Sequence, residues 1–235
     1  MTDQDPRKTF RLRSFVRRDG RRTVAQERAH EMYWPQFGLD VANGLLDMTT
    51  LFKRDAKRFL EIGFGSGQSL IEAARLHPDC DFIGIETHKP GIGALCLGIE
   101  THALTNVRIY YADAIDVLEK CIPNQSLDGI SIFFPDPWQK RKHHARRLIQ
   151  IPLLKMLVDK LKPAGELHLA TDWDDYATHM MRVLESEPRI QNKAGEHAFS
   201  ERSWRRPIVT KFERRAIREG RTIHELQWQK IHVVK

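Results

Sequence analysis

From Arg58 onward the chain alternates short apolar runs with stretches whose apolar residues recur at helical spacing. The runs predict strands over 58–63, 81–86, 107–112, 128–134 and 166–171. The stretches between and after them predict helices near 67–76, 89–104, 114–120, 145–161 and 173–186. Strands separated by helices need right-handed crossovers, which lay the strands parallel and cover both faces of the sheet. The expected class is α/β and Rossmann-like, with a mostly parallel sheet between two helical layers. His224 to Val234 alternates and is expected as an edge strand. Ahead of the first strand, Thr23 to Leu46 can pack as a short helical entry segment. Residues 1–28 are polar and Arg-rich, with Gly20 as a breaker, so a mobile arm that orders on binding is expected there, and one folded domain over 29–235.

A chain of 235 residues, 41% of them hydrophobic, can bury one sizeable core. Its three cysteines, Cys80, Cys96 and Cys121, form no C-x-x-C pair and fall in apolar patterns, so they are expected in the core and neither a disulfide framework nor a metal site is. Met1 to Arg13 lacks the apolar run of a signal peptide, and no stretch approaches the roughly 18 apolar residues of a membrane span. The expectation is a soluble, cytoplasmic protein with no membrane partner.

Net charge is +7, and its distribution says more than its size. Residues 1–28, 138–147 and 201–221 each net +5, so the rest of the chain is acidic. Any one basic run is ordinarily just a solvated surface. Three on an acidic body fit a polyanion that docks at a few places.

Ligands of parallel α/β sheets bind at the carboxyl ends of the strands, so the chemistry is sought there. The first strand ends in Leu60-Glu61-Ile62-Gly63-Phe64-Gly65-Ser66-Gly67, a turn that can approach a ligand closely and lead into a helix N-terminus. By itself it could be merely a tight turn. The second strand ends at Glu86, about twenty residues on, where a carboxylate can accept from both hydroxyls of a ribose. The third is followed by Asp113, placed to accept from an adenine amino group. Dinucleotide-binding enzymes share the glycines and the ribose acid but not usually the third acid, so the set Gly63, Gly65, Gly67, Glu86 and Asp113 favours S-adenosylmethionine over NAD. Glu61 would face the cationic methionine portion, or else cap the helix that follows. The fourth strand runs into Phe134-Pro135-Asp136-Pro137-Trp138, where two prolines present the Asp136 carboxylate rigidly at the mouth of the same cleft. A base-orienting acid and a purely structural turn are both compatible with that sequence. The stretch is similar to the [DN]-P-P-[YF] signature of amino-group methyltransferases, with Trp138 in place of the second proline and a basic run directly after it.

Taken together, Arg13-Ser14-Phe15-Val16-Arg17-Arg18, Tyr33-Trp34-Pro35, the F-P-D-P-W run, Ala170-Thr171-Asp172-Trp173 and Thr210-Lys211-Phe212-Glu213, in that order, resemble the bacterial tRNA (guanine-N7)-methyltransferases over nearly the whole chain. The resemblance implies a class I methyltransferase domain that uses S-adenosylmethionine. It implies cofactor contacts at Glu61, Glu86, Asp113 and Asp136, with Asp136 as the active-site residue. Substrate contacts are implied at Lys140, Asp172, Thr210, Lys211, Phe212 and Glu213, and an RNA-contact run at Lys142, His143, His144, Ala145, Arg146 and Arg147. Ser66, Gln139 and His144 depart from the family's pattern without removing a functional residue. The reaction so implied is methyl transfer to N7 of the guanine at nucleotide 46, in the variable loop of tRNA, by a monomer or homodimer. An amino-group RNA or DNA methyltransferase and a non-catalytic RNA-binding protein remain as alternatives.

Overall fold

A computed structural model describes residues 20–231. The chain enters through helix α1 (Val24–Phe37), a two-residue strand β1 (Gly38–Leu39) and a short helix α2 (Met48–Phe52). Strands and helices then alternate: β2 (Lys57–Ile62), α3 (Gln68–Leu76), β3 (Cys80–Glu86), α4 (Lys89–His102), β4 (Val107–Tyr111), α5 (Ala114–Lys120) and β5 (Leu127–Phe133). After β5 come α6 (Ile151–Lys160), β6 (Leu161–Thr171), α7 (Asp174–Glu185), β7 (Ile190–Asn192), α8 (Lys211–Arg218) and β8 (His224–Lys230).

One eight-stranded sheet runs in the order β1-β4-β3-β2-β5-β6-β8-β7. All pairings are parallel except those of β8, which is antiparallel to both β6 and β7. From β2 the chain winds outward through β3 and β4 on one side and resumes at β5 on the other. The carboxyl ends of β2 and β5 therefore flank a switch point, where an open α/β sheet forms its ligand crevice. β3 is buried along its entire length, as expected of a strand covered on both faces. Its side chains alternate between two cores: Ile83 and Ile85 pack with α5, α6 and α7, and Phe82 packs with α1, α3 and α4.

The expected strands and most helices match the structure within a few residues, and three differences have local causes. The helix expected over 145–161 begins only at Ile151, because Pro152 lacks the N–H that a longer helix would need in its interior. Arg141–Arg146 forms a separate 3-10 turn. β6 starts five residues early, at Leu161, through an irregular register in which Leu127 pairs with Leu161 but Gly129 with Glu166. β8 is not the edge strand: β7 covers its outer side. At the other end, Thr23 and Gln26 form a capping box that starts α1 at Val24. Arg28 holds Glu100 of α4 through two hydrogen bonds of 2.8 and 2.5 Å, so residues 24–28 of the expected arm lie on the folded body. Residues 1–19 of that arm, with the motif at Arg13–Arg18, lie outside the described residues.

Candidate active site

The turn after β2 is built on glycine. Gly63, Gly65 and Gly67 have φ of 75°, 58° and 74°, a region that costs other residues on the order of 1–2 kcal/mol each. The next helix but one closes onto this turn: a Cβ on Gly91 of α4 would sit 2.1 Å from the Gly65 carbonyl oxygen. Glu86, at the end of β3, pins the arrangement. Its Oε2 accepts from the Gly65 N–H at 2.8 Å, and its Oε1 accepts from the N–H groups of Thr87 at 2.6 Å and His88 at 2.9 Å. A carboxylate offers about four acceptor positions, so one remains on Oε2. Asp113 follows the neighbouring strand β4 and caps α5, accepting from the Ile115 N–H at 2.8 Å.

Glu61 lies within β2, in register with Gly84 on one side and Ser131 on the other, and is 7% exposed. Burial pushes its carboxyl up to about 8; Arg206 pulls against that shift and Glu86 adds to it. A buried, mostly protonated carboxyl beside a glycine turn suits a cationic ligand that would replace the missing solvation.

The loop after β5 carries a different kind of strain. Phe134 and Trp138 take φ of 50° and 46° without being glycine, each at a cost of about 1–3 kcal/mol that its surroundings must offset. The Phe134 N–H donates to the Ala170 carbonyl of β6 at 2.8 Å. Arg147, 1% exposed, donates from Nε to the Pro137 carbonyl at 3.0 Å, pairs with Asp175 and lies 4.8 Å from the centre of the Tyr176 ring. Arg206 stacks over the Phe134 ring at 4.9 Å. Held in this way, the loop projects Asp136 into solvent at a cleft of about 500 Å³. Asp172 and Trp173 line the cleft from the end of β6, and Phe212, Arg215, Glu219 and Arg221 line it from α8 and the turn after it.

The family model described as "Putative methyltransferase" matches residues 55–226. A tRNA (guanine-N(7)-)-methyltransferase from Alkalilimnicola ehrlichii is 51% identical over 221 residues, which is 93% of this chain and 92% of that protein. The enzyme of the same name from Alcanivorax borkumensis is 49% identical over 232 residues, 97% and 96% of the two chains. The chain belongs to this tRNA (guanine-N7)-methyltransferase family. Among solved structures, the 16S rRNA methyltransferase KamB overlays with a TM-score of 0.57 at 13% identity, covering 79% of this chain and 93% of that one, a likeness of fold alone.

The substrate-side residues singled out in the sequence separate by position. Asp136, Asp172 and Phe212 meet at the cleft, and Phe212 is 72% exposed. Lys140, Lys142, Ala145, Arg146 and Lys211 are exposed, with His143 and His144 half-buried beside them, and Arg146 stacks on Trp138 at 5.1 Å. Thr210 and Glu213 face elsewhere: Thr210 caps α8, accepting from the Glu213 N–H at 3.3 Å, while Glu213 is 3% exposed and paired with Arg202 at 2.5 Å and Arg206 at 2.8 Å. Arg147 differs from its expected place in an RNA-contact run, since burial beneath the Asp136 loop keeps it from a phosphate.

The polar network behind the cleft is invisible to sequence reasoning. Glu225 bridges Arg206 and His168, with His168 Nε2 at 2.5 Å from Glu225 and its Nδ1 at 3.1 Å from the Ser203 hydroxyl. Burial, together with Arg205 and Arg206, pushes His168 well below its ordinary pKa. Arg221, paired with Asp172, is equally silent in the sequence. These residues carry no local signal, because their partners come from strands and loops distant in sequence. Among the described residues no group of three or more His, Cys, Asp or Glu could hold a metal ion, and no helix is long and apolar enough to cross a membrane.

Proposed function

We propose that this protein transfers the methyl group of S-adenosylmethionine to N7 of a guanine in tRNA, the guanine at nucleotide 46 of the variable loop, and works in the cytoplasm. The observation that carries the reading is the meeting of Asp136 and Asp172 in one cleft at the carboxyl ends of β5 and β6, in a chain about half identical to such enzymes over nearly its full length. The residues present fit the cofactor: a glycine turn open to close approach, Glu86 with an acceptor position left, and buried Glu61 with no solvent to stabilise its charge. In this reading Glu86 takes the ribose hydroxyls, Asp113 the adenine amino group and Glu61 the α-ammonium.

S-adenosylmethionine supplies a methyl group on a sulfonium, already activated for displacement. Guanine N7 carries an in-plane lone pair and no proton, so the chain needs no general base. Its task is alignment, which can lower the barrier by roughly 7–11 kcal/mol when the reacting atoms are held in line. As the N–C bond forms, positive charge grows on the guanine. Asp136, fixed by the strained loop, orients the base and stabilises that charge. Exposed Lys140, Lys142 and Arg146 beside the cleft engage phosphates and help to offset the few kcal/mol needed to bring the base out of the folded tRNA.

A tRNA transcript with 7-deazaguanine at nucleotide 46 alone keeps the Watson–Crick edge and replaces the reacting nitrogen with carbon. It should bind and accept no methyl group, while the unmodified transcript yields 7-methylguanosine on nucleoside analysis. Label recovered on an exocyclic amine, or elsewhere in the deaza transcript, would sink the assignment in favour of an amino-group methyltransferase.

A further inference from the structure

The wall of the cleft opposite the Asp136 loop carries charges that methyl transfer itself does not use. Arg215 Nε donates to Glu219 at 2.8 Å, Arg221 Nη2 donates to Glu219 at 2.5 Å, and Arg221 Nη1 lies 2.5 Å from Asp172 Oδ2. Side-chain exposure falls from 67% at Arg215 through 42% at Glu219 and 30% at Arg221 to 19% at Asp172, so this chain of alternating sign runs from the rim of the cleft to its floor. At the inner end Arg221 Nε is buried and finds no hydrogen-bond partner among the described residues. Arg221 and Asp172 both line the cleft, so a base entering it meets them side by side.

We infer that Arg221 reads O6 of the acceptor guanine while Asp172 beside it reads N1–H, an inference that rests on the methyl-transfer reading above. Around the rim of guanine, O6 stands between N7 and N1–H. With N7 turned toward the cofactor end, the base offers an acceptor and then a donor to the far wall. Arg221 and Asp172, already in contact, offer a donor beside an acceptor. Adenine carries an equally open N7 but reverses this polarity: its 6-amino group donates and its N1 accepts. In the same pose the guanidinium would face an amino group and the carboxylate a lone pair, so neither contact with the base could form. Adenine could satisfy the pair only by shifting, and its N7 would leave the line of attack. A site built to hydrogen-bond one base edge rejects a base whose edge has the reverse polarity, because the contacts it offers go unmade.

The test uses tRNA transcripts with guanosine, inosine or 2,6-diaminopurine at the acceptor position, all of which keep N7. Inosine retains O6 and N1–H; diaminopurine replaces O6 with an amino group and loses the N1 proton. In single-turnover assays the wild-type protein should favour guanosine over diaminopurine by at least about 100-fold. Arg221→Ala should slow guanosine and inosine by roughly 10- to 100-fold and leave diaminopurine within about threefold of its wild-type rate, so that the preference collapses. Arg221→Lys should restore part of it. Unchanged cofactor affinity by calorimetry identifies variants that are folded. Equal slowing on every base would reduce Arg221 to a structural prop, and an unchanged guanosine rate would remove it from the site; either result overturns the inference. If the wild-type protein forms no 7-methylguanosine from the guanosine transcript, it is the methyl-transfer reading itself that fails.

Discussion

Glu61 is held mostly protonated at neutral pH, and both the stability of the protein and its grip on the cofactor should register that proton. Burial raises its pKa from 4.5 to about 8. A carboxyl whose pKa is higher folded than unfolded binds the proton more tightly in the folded state. Between pH 4.5 and 8 the folded chain therefore keeps a proton that the unfolded chain has lost, and stability falls as pH rises, by about 1.36 kcal/mol per unit. At pH 8 the accumulated loss from this one group is on the order of 4 kcal/mol, undiminished by solvent screening because the side chain is 7% exposed. Glu61→Gln keeps the shape and removes the titration. The variant should melt roughly 8–16 °C above wild type at pH 8 and show a flatter dependence on pH, since each kcal/mol corresponds to about 2–4 °C in a chain of this size. The same change impairs function: a cationic α-ammonium needs the ionised carboxylate, so the variant should bind S-adenosylmethionine poorly. In wild type, affinity should rise nearly tenfold from pH 6 to pH 7 and level off near pH 8, where an α-ammonium also begins to lose its proton. Calorimetry at pH 7 in two buffers of different ionisation enthalpy should show close to one proton released per cofactor bound. Affinity that is flat from pH 6 to 8, with no buffer dependence of the heat, would refute the reasoning. So would a Glu61→Gln variant whose melting temperature tracks wild type at every pH.

Asp136→Asn preserves the strained loop and removes the charge, so kcat should fall on the order of 100-fold while the KM for tRNA stays within about threefold; a KM effect alone would make Asp136 a docking residue. Lys142→Ala with Arg146→Ala should weaken tRNA binding and flatten its salt dependence by about 0.7–0.9 in logarithmic slope for each phosphate no longer neutralised, with an unchanged single-turnover rate at saturating tRNA. Arg147→Ala, although adjacent, should instead lower the melting temperature by scanning calorimetry, because it unpins the Pro137 carbonyl and empties the buried space beside Tyr176.

Much of this is legible in the sequence because parallel α/β folds put their chemistry at predictable places. A strand pattern locates its own carboxyl end, and Glu86, Asp113 and Asp136 stand at or just beyond three such ends. The basic loop reads as the start of α6 because Leu148 and Ile149 continue the apolar pattern; both are buried, but in non-helical chain ahead of Pro152. α8 leaves almost no trace. In its eight residues only Glu213 and Ala216 are buried, so hydrophobic periodicity has nothing to report, and the helix is held by its cap and by charge pairs. Arg147 and Arg206 look like surface charge for a related reason. A charge is buried only when partners close over it, and those partners, Asp175 for one and Glu213 and Glu225 for the other, are fixed by the fold rather than by neighbours in sequence.

The burial of Glu213 changes what the Thr210–Glu213 motif does. Such motifs invite the reading that each polar residue touches substrate, yet Thr210 and Glu213 are engaged by the helix cap and by Arg202 and Arg206. Arg206 reaches further: it pairs with Glu225, stacks on Phe134 at the root of the Asp136 loop, and opposes the shift on Glu61 at the cofactor end. Buried ion pairs add little net stability, since desolvation cancels most of the attraction, but removing one partner costs about 3–5 kcal/mol. That asymmetry makes the network a poor source of stability and a stringent device for position. It ties the wall carrying Phe212 and Arg221 to the strained loop carrying Asp136, and both to the strand carrying Glu61. Methyl transfer without a general base rests on alignment, for which a rigid frame shared by these three surfaces is the requirement the chemistry imposes.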